Sequence, residues 1–205
     1  TLFHIGTGLS ALSSVLHAGS QINTGGVPLR LNIFTMLLGS SGASRKSAAI
    51  GHAITVLNHA TALQAIRSVV GPKFGSYAGL VATLAEMPQC VIFGSEFSAM
   101  LADAQRGGHL ESAKRGLLDV YDCVSQSKAL SRESVVVMDP RLTLCVGLAP
   151  TLFEYHIEPE DLTGGLLSRF LILSAERHRW RPSGTAYDPA ALDHLAGILK
   201  QRASY

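Results

Sequence analysis

The stretch that decides the fold spans residues 31–47 and reads Leu31-Asn-Ile-Phe-Thr-Met-Leu-Leu-Gly39-Ser-Ser-Gly-Ala-Ser-Arg-Lys46-Ser47. Residues 31–38 form an apolar run of strand length, which is typical of a central strand covered on both faces. A turn-rich segment of glycine, serine and alanine follows. From Lys46 onward, apolar residues recur at helical spacing, and Gly71-Pro72 is expected to break that helix. The stretch therefore predicts a strand, a loop and a helix in direct succession.

The loop in this stretch resembles the phosphate-binding loop G-x-x-x-x-G-K-[ST]. Small residues allow backbone N–H groups to approach phosphate oxygens, and a helix N-terminus favours an anion. Lys46 supplies a cation for the β- and γ-phosphates, and Ser47 supplies a hydroxyl for Mg²⁺. The candidate nucleotide-binding residues are Ser41, Gly42, Ala43, Ser44, Arg45, Lys46 and Ser47, with Ser47 also the candidate metal ligand.

The loop departs from that pattern in two ways. Six residues separate Gly39 from Lys46, whereas the motif has about five, so either Ser40 takes the place of the first glycine or the loop is one residue longer. Arg45 stands where the motif has glycine, and a side chain is awkward there if the backbone is left-handed. Arg45 either points at phosphate or distorts the loop. The alternative interpretation is an ordinary serine-rich turn that caps a helix.

Strand-like and helix-like segments alternate along the rest of the chain. Further buried strands are predicted at 90–93, 142–148 and 170–173. Helices are predicted from the N-cap Ser76 to before Pro88, at 97–104, at 110–121 and from Pro189 to about Arg202, and a β-hairpin at 124–138. The alternation predicts an α/β fold of the P-loop NTPase type, a mostly parallel sheet with helices on both faces and the hairpin as an insertion. We divide the chain into a P-loop ATPase-like core, 1–177, with an N-terminal helix, 1–19, and a linker and C-terminal helix, 178–205.

Composition excludes several classes of protein. Charged residues make up 16% of the chain and the formal net charge is +2, so no strong field toward nucleic acid or a membrane is expected. The cysteines, Cys90, Cys123 and Cys145, form no C-x-x-C pair, which argues against a zinc ribbon or a disulfide framework. A reducing, cytoplasmic setting is the default for such a chain.

The first charged residue is Arg30, so the N-terminal segment requires a test for a signal peptide or a membrane helix. Small and polar residues interrupt its apolar run well short of the roughly 20 residues that a span needs, and no basic leading region is present. We therefore expect no membrane partner. Apolar residues recur at helical spacing and predict a buried first helix; they are Leu2, Ile5, Leu9, Leu12 and Leu16.

A nucleotide hydrolase of this type needs acids after a second strand, which we expect beside the first. The strand 90–93 is followed by Gly94-Ser95-Glu96. Glu96 is the candidate catalytic residue that polarises the attacking water, while Ser95 occupies the position where a metal-binding acid is common. The alternative is that Glu96 merely neighbours a helix N-cap.

Several segments in a fixed order carry a resemblance to one family. They are Lys46-Ser47, Gly75-Ser76 with Leu80, residues 91–97, residues 117–122, Pro140 through Pro150, and Gly165-Leu-Leu-Ser-Arg-Phe170. In their order and spacing, they resemble uncharacterised P-loop ATPase-like domains of primase–helicase-type proteins from phages, plasmids and other mobile elements. That family looks like a divergent branch of AAA-plus or related ring-forming ATPases. The resemblance covers roughly residues 20–177.

The resemblance implies roles for two further segments. Leu166-Leu-Ser-Arg169-Phe170 is similar to the stretch of replicative minichromosome-maintenance helicases whose arginine reaches a neighbouring subunit's nucleotide, so Arg169 is the candidate arginine finger. The alternative is a surface arginine beside a strand. The hairpin 124–138 is similar in position to pore hairpins of ring helicases, where Lys128 and Arg132 would meet a nucleic-acid backbone; the alternative is plain solubility. The strand 142–148 lacks the polar residue expected at its end.

Two functions therefore follow from the sequence as hypotheses. The first is a nucleoside triphosphatase that binds ATP and Mg²⁺, works as a homo-oligomer and takes DNA or RNA as a further partner. The second is a degenerate, non-catalytic P-loop module used for assembly or as a scaffold. The departures at Arg45, at Ser95 and at the end of the strand 142–148 leave weak, slow or absent hydrolysis open.

Overall fold

The computed structural model describes residues 2–16, 20–26, 28–42, 44–74, 76–95, 97–98, 102, 110–129, 134–157, 159–175 and 187–204. Its helices are α1 (Leu2–Val15), α2 (Lys46–Ala62), α3 (Tyr77–Glu86), α4 (Leu110–Tyr121), α5 (Pro150–His156), α6 (Pro159–Thr163) and α7 (Pro189–Ala203), with a 3₁₀ turn at Leu167–Arg169. Its strands are β1 (Gln21–Ile22), β2 (Leu29–Arg30), β3 (Phe34–Leu38), β4 (Gln89–Gly94), β5 (Gln126–Ala129), β6 (Ser134–Val137), β7 (Arg141–Leu148) and β8 (Phe170–Ser174).

The central sheet is parallel and has the strand order β4-β7-β3-β8. The predicted α/β class with a parallel sheet is thus confirmed, and the arrangement is compatible with a Rossmann-like or P-loop-like fold. One expectation was wrong: β4 does not lie beside β3, because β7 lies between them. Residues 142–148 of β7 are all buried, and a strand apolar on both faces suits the centre of a sheet.

Helices cover both faces of the sheet, as predicted. Alternate side chains of β3 enter different layers, with Phe34 and Met36 in one core and Leu37 in the other. The first core is completed by α3 and α4, through residues such as Leu80 and Leu117. The second is completed by α1, α2 and α7. The two cores hold the carboxyl end of β3 between them, where the predicted phosphate loop begins.

The first helix forms, but its predicted buried face was wrong. Leu2, Ile5 and Leu9 are exposed, Ile5 to 59%, whereas the small residues of α1 are buried against the sheet. A Cβ on Gly6 would come within 2.4 Å of Leu173 Cδ1, so only small side chains allow this close approach. The Ser10 hydroxyl donates to Thr35 Oγ1 at 3.1 Å, which satisfies a polar group that the packing buries completely.

Strand β8 was predicted to be buried, and this was also wrong in part. It pairs with β3 on one side and ends the described sheet on the other. Leu171 and Ile172 are consequently 43% and 38% exposed. A short apolar run predicts a strand but does not distinguish a central position from an edge.

Helix α2 is shorter than predicted, since it ends at Ala62 rather than near Gly71. Gln64 adopts a left-handed conformation with φ 54°, and the Ala65 N–H donates to the Ala60 carbonyl oxygen, which closes the helix. The chain then extends, and Val70 forms a bridge with Val91 of β4. Tertiary pairing with the sheet therefore ends the helix before the Gly-Pro break.

The remaining predicted elements agree with the structure where it describes them. Ser76 caps α3 by accepting from the Gly79 N–H, and Asp188 caps α7. Strands β5 and β6 pair antiparallel as the predicted hairpin. Arg132, the Lys128 side chain, most of the predicted helix 97–104 and most of the linker after residue 177 lie outside the described residues. None of the described helices is both long enough and apolar enough to cross a membrane.

Candidate functional site: a cationic cleft at the carboxyl edge of the sheet

The loop after β3 is tied to its neighbours by backbone contacts. The Gly39 N–H donates to the Leu148 carbonyl oxygen at 3.1 Å, which joins the loop to the end of β7. A Cβ on Gly39 would lie 2.7 Å from Ser44 Cβ and 2.9 Å from the Ala175 carbonyl oxygen. Glycine is therefore required at this position for steric reasons. The first glycine of the sequence pattern fixes where the loop leaves the sheet.

Two residues of the loop adopt left-handed backbone conformations. Gly42 has φ 77°, which glycine adopts without strain. Arg45, directly before α2, has φ 57° and ψ 32°, a region that is unfavourable for a residue with a side chain. The awkward conformation foreseen at Arg45 is thus present. The structure keeps an arginine where a glycine would fit more easily.

Lys46 begins α2 and folds back into the loop. Only 8% of the residue is exposed. Its Nζ donates to the Gly39 carbonyl oxygen, to the Ser40 carbonyl oxygen at 3.3 Å and to Ser44 Oγ at 3.3 Å. Burial lowers the pKa of Lys46 from the ordinary value of 10.5. Among the described residues, every hydrogen-bond partner of this ammonium group is a neutral oxygen.

These groups line a cleft of about 360 Å³ at the carboxyl edge of the sheet. Ligands of open α/β sheets bind at this edge, outside the ends of the strands. The lining comes from the loop, from the start of α2 and from the segments that follow β4 and β7. It consists of Ser41, Gly42, Ser44, Arg45, Lys46, Ser47, Ser95, Ser98, Gly147, Leu148, Ala149 and Leu152.

The structure therefore brings together six of the seven candidate loop residues. The seventh, Ala43, and the candidate catalytic Glu96 lie outside the described residues. Ser95, which precedes Glu96, does line the cleft. Because β7 separates β4 from β3, the chain after β4 reaches the cleft across the end of β7.

Sequence reasoning missed the roles of two lining residues. A Cβ on Gly147 would lie 2.8 Å from the Ser95 carbonyl oxygen and 3.5 Å from Lys46 Cδ and Cε. The end of β7 thus lacks a polar side chain because the Lys46 stem and the chain after β4 pass close to it. Ser98 also lines the cleft. Its position shortly after the predicted strand 90–93 is the only sequence feature that could have indicated this.

The donors around Ser47 were compared with the needs of Mg²⁺. Ser47 is exposed and lines the cleft. Among the described residues, no group of three or more His, Cys, Asp and Glu side chains is placed to hold a metal ion. Mg²⁺ is commonly held by few protein ligands together with substrate phosphates and water. Ser47 therefore fits Mg²⁺ as a partner of a bound phosphate, not as part of a protein cage.

Arg169 does not lie in the cleft. It precedes β8, at the amino edge of the sheet, and lies five residues before Ser174, which pairs with Leu38 at the start of the loop; this is about 17 Å at roughly 3.3 Å per residue. Its Nη2 donates to Asp122 Oδ2 at 2.6 Å, and its Nη1 donates to the Gly165 carbonyl oxygen at 3.0 Å. Arg169 therefore does not reach the loop of its own chain.

A larger cavity, of about 650 Å³, lies at the amino edge near the ends of α1, α2 and α7. Two of its polar side chains bond to each other. Arg67 donates to Gln89 Oε1 at 2.7 Å, and Gln89 Nε2 donates to the Leu16 carbonyl oxygen at 2.6 Å. Size alone does not make this cavity the better candidate, because its cation, Arg67, is exposed to solvent. The cation of the smaller cleft, Lys46, is buried and donates only to neutral oxygens among the described residues.

Neither the protein-family models nor the curated proteins include a match to this chain.

Proposed function

We propose that this protein binds ATP with Mg²⁺ in the cleft at the carboxyl edge of the sheet and hydrolyses it as a subunit of a homo-oligomer. The observation that carries the proposal is the environment of Lys46. Its buried ammonium group is held by neutral oxygens alone among the described residues. Burying a charge without a counter-charge is unfavourable, and an anion in the cleft would relieve that cost. The N-terminus of α2 favours the same anion.

In this proposal, Lys46 and the loop N–H groups hold the phosphates, and the Ser47 hydroxyl holds Mg²⁺. The metal, when bound, neutralises charge that develops on the phosphate oxygens. Glu96 polarises the attacking water. Arg169 of one subunit stabilises the transferred phosphoryl group in the site of its neighbour.

The resemblance to primase–helicase-type ATPases supports DNA or RNA as the further partner of the oligomer. The predicted hairpin forms from β5 and β6, and the resemblance would make it a pore hairpin. Its cations, Lys128 and Arg132, would contact phosphates of the nucleic acid.

A second function, a non-catalytic nucleotide-gated scaffold, is favoured by two observations. Gly147 leaves the end of β7 without a polar side chain to sense the γ-phosphate, and the Ser95 carbonyl oxygen lies too close for a side chain there. Ser95, which lines the cleft, stands where an acid is common. Both features weaken hydrolysis more than they weaken binding.

The test is to measure ATP–Mg²⁺ binding by calorimetry and turnover by phosphate release, for the wild type and Lys46→Met. We expect the substitution to weaken binding about 10- to 100-fold, because hydrogen bonds to charged groups contribute about 1.5–3 kcal/mol. Lys200→Met is the matched control, since Lys200 is exposed on α7. Equal binding and equal turnover in the wild type and Lys46→Met would refute the proposal. Tight binding without turnover would select the scaffold.

A further inference from the structure

The guanidinium group of Arg169 is held in one orientation by the end of α4. Its Nε and Nη2 both donate to the Asp122 carboxylate, at 3.4 Å and 2.6 Å. The group also lies 5.6 Å from the centre of the Tyr121 ring. A two-point contact with a carboxylate fixes the plane of a guanidinium as well as its position. The end of α4 therefore determines where this arginine points.

The hydrogen-bond count of Arg169 leaves donors for a further acceptor. A guanidinium group has five N–H donors. Two bond to Asp122 and one to the Gly165 carbonyl oxygen. The other two have no acceptor among the residues that the structure describes, and the side chain is 26% exposed. Arg169 is thus held in one orientation by three of its N–H donors, while, within the described part of the chain, the other two remain available for a further acceptor.

The carboxylate of Asp122 lies at an electrostatically unfavourable position unless Arg169 compensates its charge. An acid directly after the last turn of a helix faces the negative end of the helix dipole. Arg169 is the hydrogen-bond partner that compensates the Asp122 carboxylate. The pair is substantially exposed, 26% for Arg169 and 47% for Asp122, and exposed ion pairs contribute little to folding stability. Stability alone is therefore a weak reason for this arrangement.

The support beneath the pair is rigid. Asn32, just before β3, donates from Nδ2 to the Tyr121 carbonyl oxygen at 2.9 Å, and Tyr121 packs edge-on against Phe34. The end of α4 is thus anchored to the central strand that leads to the loop. A group held on rigid elements retains its orientation better than one on a loop.

We infer that Asp122 is a positioning residue, which orients Arg169 so that its remaining N–H donors can bond the triphosphate in a neighbouring subunit. This inference rests on the proposed function. Arg169 donates the hydrogen bonds, and Asp122 acts only through Arg169. Preorganised donors stabilise developing charge more effectively than donors that must be ordered during the reaction.

The experiment compares Asp122→Asn with Asp139→Asn in the full chain. Asp139, whose side chain is 45% exposed, forms ion pairs with Arg141 and Arg30 and not with Arg169, and it is the matched control. We expect Asp122→Asn to lower kcat about tenfold or more, with unchanged ATP affinity and melting temperature, and Asp139→Asn to leave kcat unchanged. Adding Asp122→Asn to Arg169→Ala should cause little further loss, since Asp122 acts only through Arg169.

Mixed oligomers then separate positioning from a structural role. Asp122→Asn subunits keep an intact cleft, and Lys46→Met subunits keep an intact Asp122–Arg169 pair. Co-expression of the two should give more turnover than the sum of the separate variants, because each supplies what its neighbour lacks. No recovery in the mixture, or undiminished kcat in Asp122→Asn, would overturn the inference while ATP binding stands. A wild type that binds ATP without turnover would overturn it as well. A wild type that binds no ATP would instead remove the proposed function on which it rests.

Discussion

Lys46, at the carboxyl edge of the sheet, and Arg169, at its amino edge, are both held by hydrogen bonds, but their partners differ in charge. Lys46 is almost buried and donates to carbonyl and hydroxyl oxygens. Arg169 is more exposed and donates to the Asp122 carboxylate. The first cation is uncompensated among the described residues, whereas the second already has its counter-charge.

This difference shows why only one of the two edges is a candidate anion site by itself. A bound anion would relieve the desolvation of Lys46, whereas at Arg169 it would have to compete with, or add to, a carboxylate. We therefore expect Arg169 to contribute to an anion site that other residues form, and not to form one itself. The three substitutions below are ordered from the largest expected effect on stability to the smallest.

Gly147→Ala should destabilise the protein by about 1–3 kcal/mol, as overpacking in a filled site does. The added methyl group would lie 2.8 Å from the Ser95 carbonyl oxygen. Ser95 lines the cleft and would have to shift, so ATP affinity should fall too. Urea denaturation measures the stability. Gly51→Ala is the control: its Cβ meets nothing within 4 Å inside α2, and the change should stabilise by about 1 kcal/mol. Wild-type stability and ATP affinity in Gly147→Ala would contradict the close packing around Lys46.

Arg45→Gly should change stability and affinity in opposite directions. Glycine relieves the left-handed strain at φ 57° and should raise the free energy of unfolding by up to about 1 kcal/mol. Loss of the guanidinium should weaken ATP binding several-fold, which calorimetry measures. Gln64→Gly, at φ 54° beyond the other end of α2, is the matched control and should raise stability without changing affinity. If Arg45→Gly binds ATP as tightly as the wild type, Arg45 is only a strained loop residue.

The lowered pKa of Lys46 predicts a small pH dependence of the free energy of unfolding, and the direction of that dependence is what the experiment tests. The pKa of Lys46 is lower in the folded state than in the unfolded state, where it is about 10.5. Burying the charged ammonium group therefore reduces the free energy of unfolding below the folded-state pKa, and this destabilisation disappears as the pH approaches 10.5. Stability of the wild type relative to Lys46→Met should therefore rise with pH in that window. The cysteines, whose pKa values burial raises to about 12, 11 and 12 for Cys90, Cys123 and Cys145, act in the opposite direction. Both proteins contain the same cysteines, so the difference in free energy of unfolding between the wild type and Lys46→Met reports on Lys46 alone. If that difference fell as the pH rose, Lys46 would not be a destabilised, buried ammonium group.

Sequence reasoning predicted the loop and its surroundings well because the signals there are local. The apolar run before Gly39 and the helical spacing after Lys46 predicted β3 and α2, and both elements form. The lining of the cleft by Ser41, Gly42, Ser44, Arg45, Lys46 and Ser47 follows from one continuous segment. Gly147 and Ser98 escaped prediction because their contribution depends on which strand ends are neighbours.

The helix α1 shows the limit of periodicity. Its apolar stripe predicted a helix correctly but predicted the wrong face, because Ile5 is exposed and Ser10 is buried. Spacing identifies a stripe on a helix, whereas the close approach to the sheet at Gly6 selected the side with small residues. The position of β8 at the sheet edge likewise depends on tertiary contacts and not on the apolar spacing of its sequence.

By itself, the sequence determined the α/β class, the loop at the end of β3 and the cations that the loop carries, because propensity, spacing and turn chemistry act over a few neighbouring residues. Only the tertiary structure decided that β7 lies between β3 and β4, that Lys46 is buried and donates to the Gly39 and Ser40 carbonyl oxygens, and that Arg169 is held by Asp122 at the opposite edge. The physical reason is that burial, charge compensation and strand order depend on contacts between residues far apart in the chain, and no local pattern encodes which of them will meet.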